Sequence, residues 1–314
     1  GLSFKIAEQT HIRGIKTFYT PHNYYFVDPN LYMIKSNLKV WENSNFFENS
    51  ELLKSQPAKI KHYEQRVITA RNTINNFIDY TLAISSREKE ILVDFGADPE
   101  KIFVVHQFPV LSDIANRKTF EKIENRPVKF GFIGTAIPHK GVHKLVIAAQ
   151  ALEKGSAEIH IYGNGNELYK KELIKIDSKG LCIWHNEYKY EDLTEILDNI
   201  DCVVVPSIWE EAAGLVVLEA LSYGVPVIGA RIGGIPDFVT NNYNGRTYPA
   251  NSEKNLAAIL KELVANPAMI DNYKLNCSKT YTFTNFIEHT LSLYTKALSN
   301  SMGNKADIEL IYKP

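Results

Sequence analysis

The chain has 314 residues, of which 45% are hydrophobic and 23% are charged. This composition excludes a disordered tail, a collagen-like fibre and a disulfide-stapled miniprotein, and the length predicts about two domains. Lysine and arginine total 35 against 36 aspartates and glutamates, so the net charge of −1 gives no general attraction to nucleic acid or to anionic membranes.

The cysteines and the apolar runs indicate the cellular compartment. Cys182, Cys202 and Cys277 are too few and too scattered for a disulfide framework or a metal site, and the first two lie in apolar runs that predict core positions. No apolar run reaches the roughly 18 residues that span a bilayer, and the first residues do not form a signal peptide. We therefore expect a cytoplasmic protein in a reducing environment.

The first part of the chain predicts few strands. Apolar residues at helical spacing predict a long helix over Lys59–Ile78, and the polar stretch between Val40 and Pro57 predicts a loop with a short helix. The predicted strands are Ile15–Tyr19, Thr81–Ile84 and Ile102–Val105. Three strands are few for an independent domain with a parallel sheet, so we expect a half-domain whose first units precede residue 1. The charged segment Leu111–Pro127 predicts a connection between domains.

The rest of the chain alternates short apolar runs with segments of helical periodicity. Buried parallel strands are continuous apolar runs, and each crossover between them requires a helix. The predicted strands are Val128–Ile133, Ile159–Tyr162, Leu181–Trp184, Cys202–Val205 and Val225–Ile228. The predicted helices are Val142–Leu152, Leu168–Ile176, Asp192–Ile200, Leu215–Tyr223, Leu256–Ala265 and Phe283–Leu298. This alternation predicts an α/β fold with a doubly wound parallel sheet.

The segment Pro206–Ala220 contains the residues most suited to ligand binding. It follows a predicted strand, and open α/β sheets bind ligands at the carboxyl ends of their strands. Gly214 begins a predicted helix, whose free N–H groups and partial positive charge suit a phosphate. Glu211 and Glu219 lie on either side of this helix start, and their oxygens can accept hydrogen bonds from sugar hydroxyls. By their spacing alone, two solvated surface glutamates would be the simpler interpretation.

This segment and several others resemble the retaining glycosyltransferases of the two-domain GT-B architecture, family 4, whose signature is E-x7-E. The other segments that resemble this family, in its order, are Thr20–Tyr25, Asp79–Ser85, Phe132–Val142, Tyr162–Gly165, Gly224–Ile228, Gly233–Pro236 and Asn244–Gly245. Each motif alone is weak, and together they are specific.

The resemblance implies a role for each matching residue. Glu219 would bind the ribose hydroxyls of a nucleotide, Glu211 the hydroxyls of the transferred sugar, and Lys140 the diphosphate, where its charge would stabilise the leaving group. His22 would point toward the sugar from the N-terminal domain, although a lone histidine after a strand is more often structural. The other implied donor-binding residues are Gly134, Thr135, Gly163, Trp184, Gly214, Leu215 and Val216. Core packing is an equal alternative for Trp184, and a solvated loop position is the alternative for Lys140.

The resemblance also implies the domain organisation and the activity. Residues 1–118 would form a partial, acceptor-side Rossmann-like domain, residues 119–282 the nucleotide-sugar-binding domain, and residues 283–314 a helix and tail that return toward the first domain. The implied enzyme is a hexosyltransferase that uses a UDP- or GDP-linked sugar, no cofactor, and a glycan or lipid-linked acceptor. The alternatives are a nucleotide-sugar-binding fragment without activity, and an epimerase or hydrolase on the same fold.

This sequence differs from the family pattern in three ways that affect the expected function. Thr135 occupies a position where the family usually has arginine, which removes one charge-assisted phosphate contact. Asn23 replaces the usual aspartate beside His22. The chain also begins where the family's first domain is already under way, so we expect the family's first strand and glycine-rich loop to precede residue 1. By itself, this chain would then bind nucleotide but transfer sugar poorly.

Several motifs are missing from the sequence. It contains no Asp-x-Asp motif and no His/Cys cluster with zinc spacing, so we expect no metal site. The pair Gly163 and Gly165 lacks the third glycine and the partner acid of an NAD site. The charged run Glu88–Glu90 predicts a solvated helix face.

The predicted helix Lys59–Ile78 carries a set of basic residues, and these are Lys59, Lys61, His62, Arg66 and Arg71. A basic amphipathic helix can bind an anionic lipid surface. A solvated helix face is the interpretation that we favour. A peripheral contact with the inner face of the membrane is the alternative hypothesis.

Overall fold

The computed structural model describes residues 4–28, 31–42, 49, 57–109, 122–277 and 282–299. The chain divides into two compact units: unit 1 comprises Gly1–Gln107 and Tyr281–Pro314, and unit 2 comprises Phe108–Thr280. The predicted loop between Val40 and Pro57, and most of the predicted connection Leu111–Pro127, lie outside the described residues.

The described part of the chain contains parallel strands that alternate with helices. The strands are β1 (Phe18–Tyr19), β2 (Tyr80–Ala83), β3 (Ile102–Val104), β4 (Val128–Ile133), β5 (Ala157–Tyr162), β6 (Cys182–Trp184), β7 (Cys202–Val205), β8 (Val227–Arg231) and β9 (Gly245–Pro249). The α-helices are α1 (Lys5–Ile12), α2 (Ile60–Phe77), α3 (Ser86–Asp94), α4 (Val142–Ala149), α5 (Glu167–Ile176), α6 (Leu193–Asp198), α7 (Leu215–Tyr223), α8 (Glu253–Ala265), α9 (Ala268–Cys277) and α10 (Phe283–Ser299).

Unit 1 is built on a three-stranded parallel sheet in the order β1-β2-β3. Helix α2 buries Val67, Ala70 and Ile74, which are three or four positions apart, because this spacing places them on one face of a helix. Helix α10 belongs to this unit, since its Leu293 packs with Leu82 and Val105 in a small apolar cluster. The carboxyl ends of all three strands lie at one edge of the sheet.

Unit 2 is built on a six-stranded parallel sheet in the order β6-β5-β4-β7-β8-β9. Both faces of this sheet are covered by helices. Helices α4 and α8 pack on the first face, where Phe130 and Ile159 are fully buried. Helices α6 and α7 pack on the second face, where Val203 and Leu218 are fully buried. The strand order is that of a Rossmann-like sheet, and the direction of winding reverses between β4 and β7.

The α/β prediction and the predicted parallel strands are confirmed, with shifts at their ends. The predicted strand Val225–Ile228 begins at Val227, because the Val225 N–H donates to the Ala220 carbonyl and completes the turn that ends α7. Three elements were not among the predicted strands and helices, and these are α1, β9 and α9. Strand β9 is a polar segment at the edge of the sheet, and α9 has little amphipathic pattern.

Cys202 is buried as predicted, and Cys182 is half-buried and packs against the core. One prediction about a single side chain is wrong. Glu88 is fully buried and does not lie on a solvated face. Its backbone N–H donates to the Ser85 hydroxyl (3.1 Å), and its Oε2 accepts from the Ile84 N–H (2.8 Å). This reciprocal pairing at the start of α3 is a form of capping box, which holds the carboxyl inside the protein. Burial raises the pKa of the Glu88 carboxyl to about 8.

Candidate functional site

The candidate site lies in unit 2, at the carboxyl edge where the sheet reverses its winding. The loops that follow β4 and β7 meet there. The Ile208 N–H donates to the His139 carbonyl (3.0 Å), which joins the two loops by their backbones. Gly141 has a φ of 75°, and a Cβ at this position would overlap the carbonyl oxygen of Pro206. Glycine is therefore required where the two loops touch.

A buried carboxylate and an ammonium group form the centre of this site. Lys140 Nζ donates to Glu211 Oε1 (2.8 Å) and Oε2 (3.0 Å). The Ser207 hydroxyl donates to Oε2 of the same carboxylate (2.9 Å). The Glu211 side chain is 11% exposed and that of Lys140 is 29% exposed. A charge-assisted pair shielded from water in this way is stronger than an ion pair on the open surface.

Aromatic side chains lie beside Lys140, and a backbone hydrogen bond holds Glu211. Lys140 Nζ lies 5.3 Å from the centre of the Trp209 ring. Burial lowers the pKa of the adjacent His139, and the positive charge of Lys140 lowers it further. The loop after β8 supports the other side, because the Gly234 N–H donates to the Glu211 carbonyl (2.7 Å). These contacts fix the Glu211 backbone before any ligand binds.

The start of helix α7 offers N–H groups to the same site. The N-cap residue, Gly214, has a φ of 64° and no side chain that could satisfy the first N–H groups. Leu215 is exposed and Val216 is half-buried, so the first turn of the helix faces solvent. The first turn also contains no acidic residue. This helix start therefore has the N–H groups and the partial positive charge that bind phosphates in other proteins.

Glu219 lies one turn into α7, where it accepts a hydrogen bond from one tyrosine and acts electrostatically on a second. Tyr190 donates a hydrogen bond to Glu219, and burial raises the pKa of the Glu219 carboxyl. Burial and the charge of Glu219 raise the pKa of Tyr190 to about 12, and both also raise the pKa of Tyr188. These tyrosines and Ser207 were not predicted as site residues. The signal that could have found the tyrosines is their position after β6, at the binding edge of the sheet.

The glycines predicted to bind the donor support neighbouring loops. The Gly134 N–H donates to the Tyr162 carbonyl (3.0 Å), and a Cβ at Gly163 would overlap the carbonyl oxygen of Gly134. The loop after β4, which carries Lys140, therefore runs beside the loop after β5 at the same edge. Thr135 follows Gly134 in the first of these loops and has an exposed side chain.

Two further predicted site residues, Trp184 and His22, have other surroundings. Trp184 is partly buried against the core on the α4 and α8 face, and Lys170 Nζ lies 5.5 Å from its ring centre. Glu219 belongs to a helix on the opposite face of the sheet. His22 belongs to unit 1, where it is exposed just after β1. The adjacent Asn23 accepts a hydrogen bond from the Tyr25 N–H (3.0 Å) and caps the short helix Tyr24–Phe26, as an aspartate would.

Metal-binding clusters and membrane-spanning helices are both absent from the described part of the chain. No three His, Cys, Asp or Glu side chains come together in a way that could hold a metal ion. No helix among the described residues is both long enough and apolar enough to cross a membrane.

Comparison with known proteins gives the family. Residues 113–280 match the family model described as glycosyl transferases group 1. An uncharacterized glycosyltransferase of Methanocaldococcus jannaschii is 25% identical over 174 residues, which cover 53% of this chain and 44% of that protein. A D-inositol 3-phosphate glycosyltransferase of Mycolicibacterium vanbaalenii is 28% identical over 259 residues, which cover 76% of this chain and 56% of that protein. The chain thus spans about half the length of these curated relatives.

A solved structure shows the same fold over most of the chain. The crystal structure of Anabaena HepE in complex with UDP superposes with a TM-score of 0.72 at 17% identity. The superposition covers 93% of this chain and 76% of that chain. At this level of identity the likeness establishes the fold.

Proposed function

The chain belongs to the glycosyl transferases group 1 family, and we propose that it transfers a sugar from a nucleotide-sugar donor to an acceptor hydroxyl. The observation that carries this proposal is the grouping of Lys140, Glu211 and the uncapped start of α7 at one edge of the unit 2 sheet. A cation and free N–H groups suit a diphosphate, and a carboxylate suits sugar hydroxyls. A nucleotide sugar contains both chemical groups in one molecule.

Each residue then has a role in donor binding. The N–H groups of Gly214, Leu215 and Val216 bind the phosphates, and Lys140 neutralises the charge that develops on the diphosphate as the sugar departs. Glu211 accepts hydrogen bonds from the hydroxyls of the transferred sugar. Glu219 accepts hydrogen bonds from the ribose, in place of the one that Tyr190 now donates.

We propose that the reaction retains the anomeric configuration, as in family 4. The bond from the anomeric carbon to the diphosphate oxygen breaks, and the acceptor oxygen forms its new bond on the same face of the sugar. The proton of the acceptor hydroxyl passes to the departing diphosphate. No side chain forms a covalent bond to the sugar, so the protein contributes positioning and charge stabilisation.

The donor in this proposal is a hexose linked to UDP or GDP, and no cofactor takes part. UDP is the first nucleotide to test, because structures with the same fold were solved with UDP and with UDP-glucose. Proteins that match parts of this chain include a sulfoquinovosyl transferase and an alpha-maltose-1-phosphate synthase. Their names differ in the sugar, so the donor sugar has to be found by experiment.

The acceptor side of the proposal rests on unit 1. We propose that unit 1 binds a glycan or lipid-linked acceptor, with His22 on that side, and that the protein works in the cytoplasm. Peripheral contact with the membrane through α2 remains the alternative hypothesis. Four of its five basic residues are exposed, but Arg66 is half-buried.

A panel of nucleoside diphosphates tests the proposed function. A ligand that binds only the folded chain increases its free energy of unfolding, by about 2.7 kcal/mol when the ligand concentration is 100 times its Kd. The melting temperature rises as a result. We expect UDP or GDP to raise the Tm and the matching nucleoside to raise it less, because the nucleoside lacks the diphosphate. If no nucleoside diphosphate raises the Tm, the proposal is wrong. Donor turnover without an acceptor would instead indicate a hydrolase or an epimerase.

A further inference from the structure

Among the described residues of unit 1, one buried arginine has no anionic hydrogen-bond partner. All three guanidinium nitrogens of Arg66, on helix α2, are buried and lack a hydrogen-bond partner within the part of the chain that the structure describes. An arginine keeps its charge under all physiological conditions. A charged group that is buried without a partner is strongly unfavourable. Such a group therefore points to an anion that binds there.

The nearby carboxyl group of Glu88 does not supply this anion. Its Oε2 accepts from the Ile84 N–H, and its Oε1 is buried without a partner among the described residues. Burial raises the pKa of this carboxyl, and Arg66 is not among the groups that shift it. Among the described residues, no hydrogen-bonded acid therefore balances the positive charge of Arg66.

Two tyrosines complete the surroundings of the guanidinium. Its central carbon lies 3.7 Å from the centre of the Tyr25 ring, and Tyr25 is 44% exposed. Burial raises the pKa of the Tyr19 hydroxyl, the charge of Glu88 raises it further, and the charge of Arg66 lowers it. The Tyr19 hydroxyl is thus within electrostatic reach of the guanidinium. Both tyrosines belong to the carboxyl end of β1 or the segment that follows it, at the ligand-binding edge of a parallel sheet.

We propose that Arg66, Tyr19 and Tyr25, here called the Arg66 cluster, bind an oxyanion of the acceptor, either a phosphate or a carboxylate. This inference rests on the proposed function, and it specifies the class of acceptor. The planar guanidinium can donate two parallel hydrogen bonds to such a group, and the Tyr19 hydroxyl is a third donor. Tyr25 stacks on the guanidinium and is itself exposed, so we expect an anion to reach Arg66 when this ring rotates.

The alternative is that Arg66 serves packing alone by stacking on Tyr25. An uncharged side chain of similar length would provide the same packing without the cost of removing a charge from water. The choice of arginine is therefore better explained by an anion than by packing.

Inorganic phosphate is the probe for the first experiment. Phosphate can also bind at Lys140, so every variant carries Lys140→Met, and chloride keeps the ionic strength constant. We expect Arg66→Gln to weaken phosphate binding to the full chain at least about tenfold, which corresponds to about 1.4 kcal/mol. The phosphate affinity of Arg66→Lys should lie between those of the Lys140→Met parent and Arg66→Gln. Lysine keeps the positive charge but cannot donate the two parallel hydrogen bonds of the guanidinium. The matched control is Arg71→Gln, an exposed arginine on the same helix, which should bind phosphate as the Lys140→Met parent does.

Vesicles distinguish the two sources of the phosphate. Phosphatidylcholine vesicles with and without phosphatidic acid are mixed with the same variants and sedimented. Binding to phosphatidic acid that Arg66→Gln loses and Arg71→Gln keeps indicates a lipid phosphate. Binding of soluble phosphate alone, again dependent on Arg66, indicates a soluble acceptor. If Arg66→Gln binds both probes as well as its parent, the inference is wrong.

A nucleotide titration separates this failure from failure of the proposed function. With Lys140 intact, Arg66→Gln should bind nucleoside diphosphate as the unmodified chain does, which also shows that the variant folds. Nucleotide binding without Arg66-dependent phosphate binding would overturn the inference and leave the proposed function standing. If the unmodified chain binds no nucleotide, the proposed function itself is wrong.

Discussion

Lys140 Nζ hydrogen-bonds to both carboxylate oxygens of Glu211, at 2.8 and 3.0 Å, from a loop on the other side of the β4–β7 reversal. In the proposed function, one of these residues binds the diphosphate and the other binds the sugar. They neutralise each other in the unliganded protein. A donor must therefore compete with Glu211 for the ammonium group and compete with Lys140 for the carboxylate.

Mutations of Lys140 and Glu211 should affect nucleotide affinity differently. Lys140→Met should weaken nucleoside diphosphate binding by about 1.5–3 kcal/mol, because a hydrogen bond to a charged group is lost. Glu211→Gln should leave this affinity unchanged or raise it, since the mutation frees Lys140 and removes a negative charge near the phosphates. The same variant should lose sugar transfer. Calorimetry with the nucleoside diphosphate, and transfer assays with the full donor, measure the two effects.

The matched control for this pair is Lys144→Met. Lys144 forms a comparable ion pair with Glu253 at 2.6 Å, between α4 and α8. Its loss should reduce stability and leave nucleotide affinity unchanged. If Glu211→Gln weakens nucleotide binding as much as Lys140→Met does, Glu211 positions the lysine and does not compete with the ligand.

Glu219 should be responsible for recognition of the ribose. The unmodified chain should prefer a nucleoside diphosphate over its 2′,3′-dideoxy analogue by about 1–3 kcal/mol, the cost of leaving a buried acceptor unpaired. Glu219→Ala should bind both ligands equally and more weakly. The control is Glu262→Ala on α8, a glutamate whose carboxylate pairs with Arg246 of β9. A ribose preference that survives in Glu219→Ala would show that another group contacts the hydroxyls.

Glu88 should make the stability of the protein depend on pH. Burial raises the pKa of its carboxyl from 4.5 to about 8, so the folded chain keeps a proton that the unfolded chain releases within this range. The free energy of unfolding should then fall as the pH rises from 4.5 to 8. Glu88→Gln keeps an acceptor for the Ile84 N–H and cannot ionise. Urea titrations of both chains should show a difference that grows with pH in favour of the variant, and parallel curves would contradict the assignment.

Sugar transfer should survive removal of divalent metal ions. Two observations support this expectation. The ammonium group of Lys140 places a positive charge where the diphosphate is proposed to bind, and the sequence contains no Asp-x-Asp motif. The rate is compared before and after excess EDTA, at constant ionic strength, with manganese added back as the control. Loss of activity in EDTA that manganese restores would show that a metal ion holds the diphosphate.

Much of the fold was predictable because its signals are local. The apolar runs that became β4, β5 and β7 are continuous in the sequence, and parallel strands buried on both faces have this property. The helix start at Gly214 was predicted from a glycine that follows a strand. Strand β9 was missed, because a polar edge strand is stabilised by its partner β8 and has no apolar run of its own.

The sequence by itself determined the α/β class, five of the six parallel strands of unit 2, and the positions of Lys140, Glu211 and Glu219 relative to those strands. Tertiary structure decided which side chains meet. It joined Ser207 and Lys140 to one carboxylate, gave Glu219 two tyrosine neighbours, and left Arg66 buried beneath Tyr25. The physical reason is that periodicity reports which face of an element is apolar, whereas contacts between loops depend on strand order and on backbone approach at a few glycines.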